Sequence, residues 1–166
     1  MDTRGFWRYE LPEEVQGRTI RARQKGEGDF ICINVLELMT MVMTAYVMVI
    51  SRGDKPEREG EAVMMRADNE SAVSWVKKWG WEGKKKARIG ALMRMMGALK
   101  TIGGWCFQTR HVPGVENRVA DGITRWKEEE IADNVQSESP GTRWQVQELK
   151  AEEQQLCAEI LRCLCR

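Results

Sequence analysis

The chain has 166 residues and a formal net charge of +1, with 42% of residues hydrophobic and 31% charged. That supports one core of ordinary size and argues against two full domains, a disordered chain or a membrane bundle. Five cysteines, three of them in the last ten residues, form no disulfide framework; with no legible N-terminal signal peptide, the thiols are expected to be reduced and the chain intracellular.

The small net charge conceals a split. Residues 77–100 hold eight lysines and arginines (Lys77, Lys78, Lys84, Lys85, Lys86, Arg88, Arg94, Lys100) against one acid, Glu82. From residue 127 onward nine acids face five bases. A basic body of this kind suits a polyanion partner.

In chain order, FWRYEL at residues 6–11 mixes aromatics with alternating charge and stops at Pro12, as a half-buried strand does. FICIN at 30–34 reads as a short strand running into VLELMTMVMTAYVMVI at 35–50, which is apolar nearly all round. Its uncharged stretch, residues 38–50, is 13 residues long, whereas a membrane span needs about 20; the run therefore reads as a buried core helix. AVMMRA at 62–67 suits a strand buried on both faces, and a helix is expected to open at Asp68-Asn69 and run to about Lys78.

Ile89, Leu92, Met93, Met96, Leu99 and Ile102 recur at helical spacing. Gly103-Gly104 stops that helix, WCFQTRHV at 105–112 alternates as a strand, and after Pro113-Gly114 a short helix carries Val115, Val119, Ile123 and Trp126 on one stripe. Residues 128–142 read as a linker, and 143–166 as an amphipathic helix that docks on the body. The order of elements implies a mixed α/β layer structure.

Three acids stand where strands meet helices: Glu37, Asp68 and Asp121. Each has a structural reading. Asn34 and Glu37 fit a capping box, Asp68 fits a helix N-cap, and Asn117 and Asp121 fall on the side of their helix away from the apolar stripe. Together they suggest carboxylates gathered at strand ends, where α/β sheets bind ligands. Such a cluster would be repulsive without cations, and magnesium, a hard cation, takes carboxylate oxygens.

The runs INVLEL, MMRADNESAVSW and RHVPGVENRVADGITRW resemble the ribonuclease H domain of retrotransposon reverse transcriptases of the gypsy and DIRS-like type, over roughly residues 5–127. The resemblance implies a ribonuclease H-like mixed sheet flanked by helices, with a C-terminal helical extension. It also implies hydrolysis of the RNA strand of an RNA/DNA hybrid by two Mg²⁺ ions, or Mn²⁺ in their place, held by Glu37, Asp68 and Asp121, with Asn117 in support. The parent polyprotein's reverse transcriptase domain would be a partner, and no membrane would be involved.

The family's first strand brings a further aspartate. Asp2 is the only candidate for it, and Asp2-Thr3-Arg4-Gly5 lacks the serine and glycines of that stretch, so the domain (1–127) is expected to be truncated at its N-terminus. A ribonuclease H-type endonuclease would then require that aspartate from elsewhere. Lys77, Lys78, Lys84, Lys85, Lys86 and Arg88, interleaved with Trp75, Trp79 and Trp81, are the expected nucleic-acid contacts. The rival reading is an inactive remnant that binds nucleic acid without cleaving; a third is an interaction protein using the C-terminal helix.

Overall fold

The computed structural model describes residues 3–17, 33–52, 60–79, 86–138, 140, 143–146 and 148–164. In chain order these form β1 (Thr3–Phe6), α1 (Ile33–Arg52), β2 (Glu61–Ala67), α2 (Glu70–Lys78), α3 (Lys86–Ile102) and β3 (Trp105–His111). A single 3₁₀ turn (Gly114–Glu116) is followed by α4 (Arg118–Arg125), α5 (Glu128–Glu138), β4 (Arg143–Val146) and α6 (Ala151–Leu164).

α1 organises the fold. Val35, Leu38, Val42, Met43 and Ala45 are each no more than 1% exposed. With Leu36, Met39, Met41 and Val47, which are also buried, they lie around much of the helix circumference, so this helix needs cover on several sides. α3 supplies one side with Ile89, Leu92, Met93, Met96 and Leu99, and α2 adds Ala72 and Val76. Leu149, with Cys157, Ile160 and Leu161 of α6, joins the same cluster, so the C-terminal helix docks on the body. The two threonines of α1 satisfy their hydroxyls within the helix: Thr40 donates to the Leu36 carbonyl at 3.1 Å and Thr44 to that of Thr40 at 2.9 Å. By length and composition Ile33–Ser51 could cross a membrane; half of that window is buried inside the fold.

The expected ribonuclease H-like sheet is not formed. Among the described residues there are two separate two-stranded parallel pairs, β1 with β4 and β2 with β3, and the remaining regular structure is helical. Two of the expected strands account for the difference. The strand expected at 6–11 is regular only up to Phe6. At 30–34 the apolar run that makes α1 extends its first turn back over Ile33 and Asn34; residues 30–32 and Asp2 lie outside the described residues. The mixed α/β architecture, and with it the resemblance to the retrotransposon domain, is corrected to a mainly helical fold with two short parallel ladders.

β2 and β3 pair from Glu61 opposite Trp105 to Ala67 opposite His111. Strand β2 was expected to be buried on both faces, but Ala62, Met64 and Arg66 are exposed while Met65 is buried. The ladder therefore has a covered face against the helices and an outer one. Thr109 ties it to α2 by donating to the Val73 carbonyl at 3.3 Å.

Within the expected linker, residues 128–138 form α5, whose Ile131 and Val135 make a second small core with Ile123, flanked by Phe6, Val119 and Trp126. The helix expected from residue 143 begins at Ala151, because residues 143–146 instead form β4 against β1, with Phe6 opposite Val146. That pairing brings the two ends of the described chain together. If α6 belongs to the core, Leu161→Ala, at a site 1% exposed, costs about 2–4 kcal/mol in urea denaturation; a helix that merely rests on the surface would lose less than about 0.5 kcal/mol.

Candidate functional site

The C-terminal ends of β2 and β3 lie side by side, and the polar residues singled out in the sequence gather around them. Asp68 follows β2. His111 ends β3, and its Nε2 lies 3.1 Å from the Asp68 carbonyl oxygen. The Val112 amide donates to the Ala67 carbonyl at 3.0 Å, extending the ladder one step. His111 thus acts as a strand-end clamp.

Capping differs from the expectation. Asn69, not Asp68, is the N-cap of α2: its Oδ1 accepts from the Ala72 amide at 3.0 Å. Its Nδ2 donates to Asn34 Oδ1 at 2.9 Å, so Asn34, already inside α1, is used between helices and not as a cap for its own. This asparagine pair locks the start of α1 to the start of α2, and it leaves Glu37, one turn along α1, facing the same region.

Glu37 is half-buried and is the only carboxylate in α1. Its carboxyl is held above the usual carboxylate range, first by burial, then by the negative charge of Asp68, then by that of Asp121. Asp68 and Asp121 therefore both lie within electrostatic reach of Glu37. The three do not form a ligand set: among the described residues no group of three His, Cys, Asp or Glu side chains is placed to hold a metal ion. Asp121 instead pairs with Arg125 at 3.3 Å, one turn along α4. Asn117 makes no side-chain cap; its carbonyl accepts from the Asp121 amide at 3.0 Å. With neither the sheet nor a metal-ligand cluster, the expected two-metal hydrolysis of an RNA/DNA hybrid is withdrawn, and with it the terms nuclease, hydrolase and magnesium enzyme.

The basic residues fall differently. Lys77 and Lys78 close α2, both exposed, where they also complement the carbonyl end of the helix. Lys86 opens α3 and Arg88 lies half-buried within its first turn; Lys84, Lys85 and Trp81 lie outside the described residues. Trp75 is partly buried against the main core.

Trp79 stands apart within this group. It is 40% exposed and adopts a left-handed backbone with φ 47°, its amide donating to the Val76 carbonyl. Glycine takes that conformation freely, whereas a residue with a Cβ does so at a cost of about 1–2 kcal/mol. The indole lies against α3 at Gly97, where a Cβ would stand 4.0 Å from the ring, and Lys100 Nζ lies 5.2 Å from the ring centroid. Arg94, exposed, is one turn from Gly97. The sequence held one clue to this platform, a tryptophan directly after the lysine pair that ends a helix.

No protein-family model, curated protein or solved structure matches the chain.

The raised carboxyl of Glu37 has a measurable sign. The folded state holds this proton more tightly than the unfolded chain, so stability is greatest below the ordinary value of 4.5 and falls as pH rises through the window above it. Glu37→Gln is expected to flatten that decline and to raise the melting temperature at neutral pH by about 1–3 °C, with little change in acid. Parallel melting profiles of the two proteins from acid to neutral pH would show that folding does not raise the Glu37 carboxyl.

Proposed function

We propose that the chain is a non-catalytic nucleic-acid-binding module that takes a single strand across Trp79. The observation that carries the reading is the exposed indole kept in a left-handed backbone where glycine would be relaxed, with Lys100 over the ring and Lys77 and Lys78 just before it in the chain. Strain of this kind persists where the surroundings enforce it, and it concentrates at working sites. An aromatic face offers stacking to any base, so recognition would be tolerant of sequence. Lys77, Lys78, Arg94 and Lys100 would neutralise phosphates on either side, and in the sequence Lys84, Lys85 and Lys86 continue the same charge.

The platform suits a single strand better than a duplex, whose bases are already stacked and whose grooves require a projecting element. Neither Glu37 nor Asp121 is needed for this role, and no bond is broken.

Binding of a labelled single-stranded oligonucleotide, followed by anisotropy across a salt series, tests the reading. Lys77→Ala/Lys78→Ala should lower the slope of log K against log salt by about 1.4, two single-strand phosphate contacts. Trp79→Gly should weaken binding about 5–100-fold while changing stability by less than about 1 kcal/mol, since relief of the left-handed backbone offsets lost packing. Heparin, a polyanion without bases, should bind the Trp79→Gly protein as it binds the parent. Salt-independent binding, or an oligonucleotide affinity untouched by both variants, would end the proposal.

A further inference from the structure

The outer face of the β2–β3 ladder carries a charge pattern that the rest of the fold does not explain. Side chains alternate along each strand: Val63, Met65, Ala67 and Phe107 pack on the main core, and Thr109 reaches α2. Ala62, Met64, Arg66, Cys106, Gln108 and Arg110 therefore share the opposite face, and all of them are exposed. None of them is an acid.

Arg66 and Arg110 stand directly opposite each other in the register. Neighbouring strands are about 4.8 Å apart, so two guanidinium groups leave one face side by side. Like charges placed this way destabilise a sheet unless a counter-charge lies between them. Neither arginine has a carboxylate at ion-pair distance among the described residues. Glu61 alternates with the core-facing residues and begins the strand, about 16 Å back from Arg66. The acids that follow β2 leave toward the helices: Asp68 lies in electrostatic reach of Glu37 on α1, and Glu70 opens α2. The result is a double positive charge on strands whose other face is anchored in the core.

We propose that Arg66 and Arg110 together bind a phosphomonoester group. At neutral pH such a group carries about −1.5 to −2 charges, which matches two guanidiniums, and its oxygens suit two planar forks. A carboxylate or a phosphodiester brings a single charge and leaves part of the repulsion in place. Met64, 48% exposed, and Gln108 opposite it precede the arginines on the same face and offer the body of the ligand an apolar side and an amide. The seat lies on the side of the ladder away from α2, does not include Trp79 and does not rest on the nucleic-acid reading.

Isothermal titration of the full chain at neutral pH with phenyl phosphate, and with methyl phenyl phosphate as its singly charged diester, tests the proposal. The monoester should bind, and the diester should bind about tenfold more weakly or not at all. Arg66→Ala/Arg110→Ala should lose about tenfold or more in phenyl phosphate affinity while melting at or slightly above the parent temperature, since the cross-strand repulsion is relieved. Arg66→Lys/Arg110→Lys, which keeps both charges without the forks, should fall between the two. A 5′-phosphorylated oligonucleotide and its 5′-hydroxyl counterpart separate two sources of the group. Tighter binding of the phosphorylated strand, lost in the double alanine protein, assigns the seat to strand ends; equal binding of the two strands beside a bound phenyl phosphate assigns it to small phosphorylated molecules. The proposal is overturned if phenyl phosphate does not bind, if the diester binds as tightly, or if the double alanine protein binds phenyl phosphate like the parent.

Discussion

A helix that is apolar around most of its circumference cannot be covered by one neighbour, and that requirement on α1 shapes everything else in the molecule. A surface helix with a single apolar stripe needs one partner; α1 takes both α3 and α2, and Cys157, Ile160 and Leu161 of α6 join the same core from late in the chain. The parallel pairing of β1 with β4 is the topological counterpart of the same demand, because it returns the chain to its beginning just before α6. Methionine fills much of the interface, with Met39, Met41, Met43, Met65, Met93 and Met96 all buried. Unbranched, polarisable side chains adapt to partners arriving from several directions at once.

The polar region grows out of the same geometry. α1 can begin only where its covering becomes incomplete, at the C-terminal ends of β2 and β3, and the polar residues of its first turns collect there. Asn34 and Asn69 satisfy one another and the α2 amides. Glu37, lacking such a partner among the described hydrogen bonds, meets burial and two like charges instead. A half-buried acid in that setting is costly when ionised, and it marks the end of the core more clearly than any cavity does. Asp68 and Asp121 come within reach of Glu37 because the end of β2, the start of α1 and the first turn of α4 lie in one region, which does not require a bound ion.

Local order was legible in the sequence, and the sheet was not. The helical spacing of Ile89, Leu92, Met96 and Leu99 gave α3, and the alternation in WCFQTRH gave β3, since both signals are set within a few residues. Sheet membership depends on which distant strands pair, and nothing within FWRYEL or RWQV states that the pair is β1 with β4. α5 was missed because EEEIADNVQSE has only Ile131 and Val135 to bury, one turn apart, and the flanking Ser, Pro and Gly outweighed them. The motif resemblance failed for a related reason: strand-to-helix junctions bearing an acid recur wherever a parallel ladder meets a helix, so the order of Glu37, Asp68 and Asp121 described the junctions and not the fold. At Trp79 the composition signal, lysines with tryptophan, was present, but the left-handed backbone that makes it informative belongs to the folded chain alone.

The molecule thus presents two surfaces of different character on one core: a cationic aromatic platform on the α2–α3 side, and near the β1–β4 pair a cleft whose lining mixes Phe6, Tyr9 and Trp126 with charges of both signs. Both depend on α1 being enclosed by the two halves of the chain at once. Native-state hydrogen exchange tests that dependence most directly. If enclosure is shared, the most protected amides of α6 and those in the middle of α1 open with the same free energy and respond alike to low denaturant, as one cooperative unit. Amides of α6 that exchange orders of magnitude faster, with α1 still protected, would contradict it.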